Sequence, residues 1–203
     1  MPLIEHIFTK WSKNADVFVR VDPGDAMILT GQAIKSAVRD GDITIQPFSE
    51  DLLNPNSYNY RIGDIILEFD NAVIDPKKRQ EPKKIHIPVT GFVLQPNRLY
   101  LAATYERIGS SVYVPSLIGR SSLARLGLFL QITANLGHLG AEHCWTLELT
   151  CVQPLKIYPH MRIGQVSFWR PEGAGLPEVN YAAITESYNM FSVPHASNPY
   201  KFE

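Results

Sequence analysis

This sequence has no long apolar run and no two cysteines placed to form a disulfide. The first absence argues against a membrane-spanning protein, and the second against a disulfide-bonded one. Only two cysteines, Cys144 and Cys151, occur among 203 residues. They lie in one apparent strand, whose rise of roughly 3.3 Å per residue separates them too far to form a disulfide. No run approaches the roughly 20 apolar residues of a membrane span, and no basic segment precedes an apolar run at the start. We therefore expect a soluble cytoplasmic protein with free thiols and no membrane contact.

An excess of charge of one sign is missing as well. Lysine and arginine total 19 against 20 for aspartate and glutamate, so the net charge is -1. A balanced chain has no general attraction to nucleic acid, and we expect no nucleic-acid partner. Any anion-binding site must therefore come from a local group of basic residues and not from the overall charge.

Hydrophobic periodicity predicts one helix followed by many short strands. Thr30 is a suitable N-cap, Ile34 and Ala37 recur at helical spacing, and Gly41 is a stop signal. The predicted strands are 43–45, 64–69, 85–87, 91–94, 99–105, 111–114, 128–133, 144–151, 155–158 and 164–169. Such a series, punctuated by 15 prolines, indicates an all-β sandwich or barrel.

The composition divides the chain into three parts. Residues 1–25 form an irregular extension, residues 26–170 the β domain, and residues 171–203 a tail that could act as a lid. A basic run lies within 75–84. Charge runs of this kind are usually solvated loops, and a phosphate-binding arm is the alternative.

Residues 119–128 read Gly-Arg-Ser-Ser-Leu-Ala-Arg-Leu-Gly-Leu and are the most informative segment. The guanidinium groups of Arg120 and Arg125 can bind phosphate oxygens bidentately, and the hydroxyls of Ser121 and Ser122 add further donors. Glycine lets the backbone approach a ligand. The segment indicates an anion site on a turn, with surface salt bridges and ordinary turn hydroxyls as the alternative.

Glu148 interrupts an apolar run that is typical of a buried strand. Side chains alternate along a strand, so Thr146, Glu148 and Thr150 share one face while Leu147 and Leu149 share the other. Burial raises the pKa of a carboxylate toward neutrality, where it can act as a general acid or base. The alternative is a structural pair of Glu148 with an arginine.

Several segments in order along the chain resemble the dCTP deaminase family, relatives of the trimeric dUTPases. They are the arginine segment at 120–128, Thr-Ala at 133–134, Thr-Leu-Glu-Leu at 146–149, a helix at 27–42, the Ser-Tyr-x-x-Arg-x-Gly pattern within 55–63, a strand at 100–108, and a late turn at 159–165. Independent motifs in the same order make a specific signal over residues 27–170.

The resemblance implies a distorted jelly-roll of the dUTPase-like type and a homotrimer with active sites at the subunit interfaces. By the same resemblance, Arg120 and Ser122 would hold the triphosphate of a nucleotide, with Mg²⁺ bridging its oxygens. No zinc takes part in that family.

The resemblance also assigns the reacting end of the site. Ser121, Arg125 and the carbonyl of Ala134 would line the cytosine and the attacking water. Glu148 would take a proton from the water and deliver it to the base as ammonia leaves. The implied reaction converts dCTP and water into dUTP and ammonia.

The loop at 135–143 departs from the family pattern of hydrophobic-Asp-x-Gly-aromatic-x-Gly. His138 stands at the Asp position, Ala141 at the aromatic position and His143 at the second Gly position. The family's Asp contacts the sugar 3′-hydroxyl, a contact that His138 could replace with a hydrogen bond of its own. In dUTPases the Asp also orients the hydrolytic water, so its absence argues against diphosphate release.

Two smaller departures follow. His160 replaces a glycine of the late turn. Relatives close a C-terminal segment with Tyr, Lys and Gln over the triphosphate; Lys201 could supply the Lys, but the Gln is missing.

Three other functions compete with deamination of dCTP. A zinc deaminase is suggested by His138, Glu142, His143 and Cys144, but the Cys-x-x-Cys of such enzymes is missing. A non-catalytic or substrate-shifted nucleotide-binding protein would explain the altered loop. A dUTPase or a combined deaminase and dUTPase would release pyrophosphate.

Overall fold

The computed structural model describes residues 27–69, 73–130, 133–172 and 192–197. The extension at 1–25 and most of the tail, including Lys201, lie outside these ranges, so the division into three parts stays a prediction. No helix among the described residues is long and apolar enough to cross a membrane.

The predicted helix is α1, Gly31–Asp40. The Thr30 hydroxyl accepts a hydrogen bond from the Ala33 amide at 3.3 Å, and Gly41 ends the helix with a φ of 85°. Ile34 and Ala37 are buried as the periodicity predicted. Both signals that were visible in the sequence therefore act as caps.

Thirteen strands are described outside the two α-helices and one 3-10 turn at Glu50–Leu52. They are β1 (Ile43–Gln46), β2 (Leu53–Asn54), β3 (Ser57–Glu68), β4 (Lys83–His86), β5 (Phe92–Leu94), β6 (Tyr100–Thr104), β7 (Arg107–Ser110), β8 (Val114–Gly119), β9 (Leu128–Leu130), β10 (Glu142–His143), β11 (Thr146–Cys151), β12 (Leu155–Ile157) and β13 (Arg162–Trp169). The second helix, α2 (Ser121–Ala124), lies inside the arginine segment.

The main sheet has the strand order β8-β13-β3-β6-β11-β9, with β2 and β4 also paired to β3. A three-stranded sheet β1-β7-β10 and a two-stranded sheet β12-β5 complete the fold. A Cβ on Gly119, at the end of β8, would lie 3.2 Å from Cδ2 of Leu130 in β9. The two ends of the main sheet thus approach each other and nearly close a barrel. The all-β, barrel-like prediction is confirmed.

One predicted strand, 111–114, is wrong for most of its length. Residues 111–113 form a bend, and β8 begins only at Val114. The Ser110 hydroxyl accepts hydrogen bonds from the amides of Val112 and Tyr113, at 3.0 and 2.8 Å. A serine side chain that bonds nearby amides stabilises a turn in place of a strand.

Two glycines make room for a buried tyrosine across the main sheet. Tyr60, Gly164 and Gly119 lie side by side on β3, β13 and β8. The Tyr60 ring crosses Gly164, and its hydroxyl donates to the Ile118 carbonyl at 3.1 Å. A Cβ on Gly164 would lie 2.1 Å from the ring and hydroxyl of Tyr60. Tyr60 is fully buried, so it cannot move away into solvent.

Replacing Gly164 by alanine should therefore lower the free energy of unfolding by about 1–3 kcal/mol, the usual cost of overpacking a core. Urea denaturation measures the change. Gly63→Ala in β3 is the matched control, because a Cβ there would meet only the Ala103 carbonyl at an ordinary 3.4 Å. Combining Gly164→Ala with Tyr60→Leu should recover part of the loss. Equal effects of the two glycine substitutions would contradict this steric account.

Candidate active site

The arginine segment leaves β8 and turns through α2 into β9. Arg120 has an extended backbone with φ of -98° and ψ of 133°. Its carbonyl accepts hydrogen bonds from the amides of Leu123 and Ala124, at 3.0 and 2.9 Å. Gly127 ends the turn with a φ of 86°. A tight turn between two strands of the sheet therefore presents the polar side chains of the segment.

These polar side chains face outward. Ser121, Ser122 and Arg125 are exposed, while Arg120 is partly buried and donates to the Arg162 carbonyl at 3.4 Å. Within the described ranges, neither Arg120 nor Arg125 forms an ion pair with a carboxylate. The segment thus offers two guanidinium groups and two hydroxyls to an anionic ligand.

Glu148 lies in β11, between β6 and β9. Burial alternates along this strand as the sequence predicted, with Leu147 and Leu149 buried and Glu148 half-buried on the opposite face. Burial raises the pKa of the Glu148 carboxyl above its usual value. A carboxyl in such surroundings can exchange a proton with a bound reactant nearer neutral pH.

Tyr60 contacts the strand that leads into the arginine segment and also lies near Glu148. The sequence did not predict a role for it. Its hydroxyl holds the Ile118 carbonyl, two residues before Arg120. Burial raises the pKa of Tyr60, and the nearby charge of Glu148 raises it further. The hydroxyl therefore stays protonated as a donor beneath the site. No local pattern signals this contact, because Tyr60 and Ile118 are 58 residues apart in the chain.

The loop after β9 returns along β8. The Leu117 amide donates to the Asn135 carbonyl at 2.8 Å, and Ser116 forms an antiparallel bridge with Leu136. Extending that register places Ala134 opposite Ile118. Ala134 and His138 are therefore attached to the same strand that delivers Arg120, and the His138 side chain is exposed.

The end of the arginine segment runs beside the residues that follow β11. The Val152 amide donates to the Gly127 carbonyl at 3.0 Å, and the Gln153 side chain donates to the Leu126 carbonyl at 3.0 Å. Gly127 therefore lies beside Val152, which is four residues after Glu148. In extended geometry this separates Gly127 from Glu148 by roughly 13 Å.

Part of the tail reaches the face of β11 that carries Glu148. The His195 amide donates to the Thr146 hydroxyl at 3.3 Å, and Pro194 is buried. Burial lowers the pKa of His195, which favours its neutral form. The predicted contribution of Lys201 lies outside the described residues.

Glu142 and His143 of the departing loop are engaged in separate contacts. Glu142 accepts hydrogen bonds from the Arg107 side chain at 2.8 Å and from the Thr44 hydroxyl at 2.9 Å. The buried His143 ring packs on Trp145 with centroids 4.4 Å apart, and burial lowers its pKa. Among the described ranges, no group of three or more His, Cys, Asp or Glu is arranged to hold a metal ion.

His160 occupies a backbone conformation that suits the glycine of the family pattern. Its φ is 58°, in the left-handed region where histidine is tolerated better than most residues. Its ring packs on Tyr105 with centroids 4.2 Å apart. The late turn therefore accommodates a histidine at this position.

Comparison with known proteins decides the family. A model of dCTP deaminase-like domains matches residues 28–171, more than half of the chain. The chain belongs to the dCTP deaminase-like family. The resemblance found in the sequence is thereby confirmed, over almost the same residues.

Relatives of this dCTP deaminase-like chain include two classes of named enzyme. A "dCTP deaminase, dUMP-forming" of Hathewaya histolytica is 48% identical over 147 residues, covering 72% of this chain and 85% of the relative. A "dCTP deaminase" of Rhodopirellula baltica is 46% identical over 147 residues, covering 72% and 74%. The first name states dUMP as the product, and the second states no product.

A solved structure supports the fold of the dCTP deaminase-like domain. The 2′-deoxycytidine 5′-triphosphate deaminase of Agrobacterium tumefaciens superposes with a TM-score of 0.58 at 18% identity, over 71% of this chain. The match spans about half, 48%, of that protein's length. At this identity the likeness shows the shared fold alone.

Proposed function

We propose that this chain hydrolyses dCTP to dUTP and ammonia without zinc. The observation that carries the proposal is the half-buried Glu148 carboxyl with a raised pKa, on a strand that pairs with the continuation of the arginine segment. Membership of the dCTP deaminase-like family supports the same reaction.

Glu148 is the proposed acid and base. Water adds to C4 of the cytosine while its proton passes to the Glu148 carboxylate. The carboxyl passes that proton to N3 of the base, then takes the proton of the new C4 hydroxyl and delivers it to the amino group. The C4–N bond breaks, and ammonia leaves as the C4 carbonyl forms. Ser121, Arg125 and the Ala134 carbonyl are proposed to orient the base and the water. A general acid and base of this kind contributes typically 10²–10⁴-fold to a rate.

The triphosphate is proposed to bind at Arg120 and Ser122, with Lys201 as a further contact. The segment 119–128 supplies guanidinium and hydroxyl groups and no carboxylate. Mg²⁺ prefers oxygen ligands and usually binds through substrate phosphates. These donors therefore fit an ion that is carried by the triphosphate oxygens and is not held by the protein.

We also propose a homotrimer with active sites between subunits. Exposed apolar side chains flank the end of the arginine segment, with Leu126 52%, Phe129 41% and Val152 67% accessible. A neighbouring copy would cover these side chains. By the family resemblance, it would also complete an active site that lies between subunits.

A combined deaminase and dUTPase is the second candidate, because several relatives are named as dUMP-forming. His138 stands where the water-orienting Asp of dUTPases is expected. An imidazole lacks the negative charge and the two acceptor oxygens of that carboxylate, so it replaces the group poorly. We favour dUTP as the released product.

Incubation of the protein with dCTP and Mg²⁺ should release ammonia and dUTP in equal amounts, without pyrophosphate. Enzymatic ammonia detection and chromatography of the nucleotides give both quantities. Equal amounts of ammonia, dUMP and pyrophosphate would instead establish the combined reaction. Tight binding of dCTP without ammonia, for this and for modified cytosine nucleotides, would identify a non-catalytic nucleotide-binding protein.

A further inference from the structure

The loop that carries His138 rests on the indole ring of Trp145. The indole Nε1–H donates to the Ile108 carbonyl at 2.9 Å. The Trp145 backbone amide donates to the Thr104 hydroxyl, also at 2.9 Å. Both ends of Trp145 are thus tied to neighbouring strands, and the ring provides a fixed surface beneath the loop.

The loop approaches this surface at Gly137. A Cβ on Gly137 would lie 2.6 Å from Cη2 of Trp145 and 2.7 Å from Cγ of Pro115. The Gly137 amide donates to the Pro115 carbonyl at 2.7 Å. The backbone just before His138 is therefore held between the indole edge and β8, with no space for a side chain.

The other side of the loop is fixed too. The Gly140 amide donates to the Ser110 carbonyl at 2.8 Å, and the Ala141 amide donates to the His138 carbonyl at 3.2 Å. His138 is consequently the exposed tip of a short loop whose two sides are anchored. The position of His138 therefore depends on the space that the Trp145 indole fills beneath Gly137.

We propose that Trp145 is a positioning residue that places His138 against the sugar 3′-hydroxyl of the nucleotide and thereby sets the preference for that hydroxyl. The inference rests on the proposed function and on the family resemblance, by which His138 stands at the position of the Asp that contacts the sugar. An imidazole–hydroxyl hydrogen bond needs heavy atoms within roughly 3.2 Å and weakens steeply with misalignment. A site built to bond a hydroxyl also rejects an analogue that lacks it.

Trp145→Phe tests the role of the indole, because phenylalanine keeps an aromatic ring but loses the donor to Ile108 and fills less space below Gly137. The probes are dCTP and 2′,3′-dideoxy-CTP, which differ only in the 3′-hydroxyl. We expect KM for dCTP to rise roughly tenfold, the equivalent of one lost hydrogen bond. We expect kcat to stay within about twofold and KM for the dideoxy compound to change little.

Trp169→Phe is the matched control. Its indole donates to the Ser167 hydroxyl at 3.0 Å within β13, and β8 lies between this strand and the loop. It should leave the preference between the two nucleotides unchanged. His138→Ala should also remove the preference, and combining it with Trp145→Phe should add no further loss, since the two residues act through one contact.

A lowered melting temperature in Trp145→Phe with the wild-type preference for dCTP would overturn the inference. If that variant does not fold, Gly137→Ala keeps the indole and displaces the loop, and it should lose the same preference. Retention of the preference by Gly137→Ala would again overturn it. If the wild-type protein turns over neither nucleotide, the proposed function fails, and calorimetric dissociation constants for the same two nucleotides still test the positioning role.

Discussion

Glu148→Gln should abolish deamination while leaving dCTP binding close to wild type. Glutamine matches the shape of the carboxyl but cannot take up and return a proton, so the expected loss of kcat is at least the roughly 10²–10⁴-fold that proton transfer contributes. Ammonia release measures turnover, and calorimetry with dCTP and Mg²⁺ measures binding. Glu50→Gln is the matched control, because Glu50 forms an exposed ion pair with Lys35. A Glu148→Gln variant with wild-type kcat would show that another group transfers the proton.

The same variant has a predictable effect on stability. Burial raises the pKa of Glu148 in the folded protein, so folding disfavours the ionised carboxyl. As pH rises through the interval between the unfolded and the folded pKa, the wild-type protein loses protons more readily when unfolded, and its stability falls. Glu148→Gln avoids this loss. Its melting temperature should exceed that of the wild type at pH 8, and the difference should shrink below the unfolded pKa.

Glu106→Ala should be the most destabilising of the substitutions considered, with a loss of about 3 kcal/mol in the free energy of unfolding. Glu106 is completely buried. Its carboxylate accepts from the Arg61 side chain at 2.6 Å and from the Arg61 amide at 2.8 Å. Removing it leaves a guanidinium group and a backbone amide without their partner inside the protein. Urea denaturation at pH 7 measures the loss.

Asp51→Ala is the control for this prediction. Asp51 pairs with Arg162 at 2.6 Å, a distance equal to that of the Arg61–Glu106 pair, but both side chains are largely exposed. Solvent screens such a pair, so the urea midpoint should hardly change. Similar losses in Asp51→Ala and Glu106→Ala would show that burial does not decide the strength of these pairs.

Local signals in the sequence predicted what depends on nearby residues. The N-cap at Thr30 and the stop at Gly41 bound α1 because capping satisfies backbone groups within one turn. The alternation around Glu148 predicted its half-buried face because side chains point alternately along any strand. The wrong prediction of a strand at 111–114 also has a local cause. The Ser110 hydroxyl binds the amides of Val112 and Tyr113, which the apolar pattern had assigned to a strand.

The residue types of the candidate site could be predicted from the sequence, but their arrangement in space could not. Motifs in the order of the dCTP deaminase-like family indicated which residue types carry phosphate binding and proton transfer. Their distances depend on strands far apart in the chain. The structure alone shows that Tyr60 crosses Gly164 to hold the strand before Arg120, and that Trp145 supports the loop of His138.

The sequence by itself determined the family, the all-β class, the helix and the side chains that define the proposed chemistry, because these follow from residue identity, spacing and local hydrogen bonding. Only the tertiary structure decided which strands pair, which carboxylates are buried, and how the loop at 135–143 is supported. Those properties arise from contacts between residues distant in the chain, and their free energies depend on burial and packing that no local pattern contains.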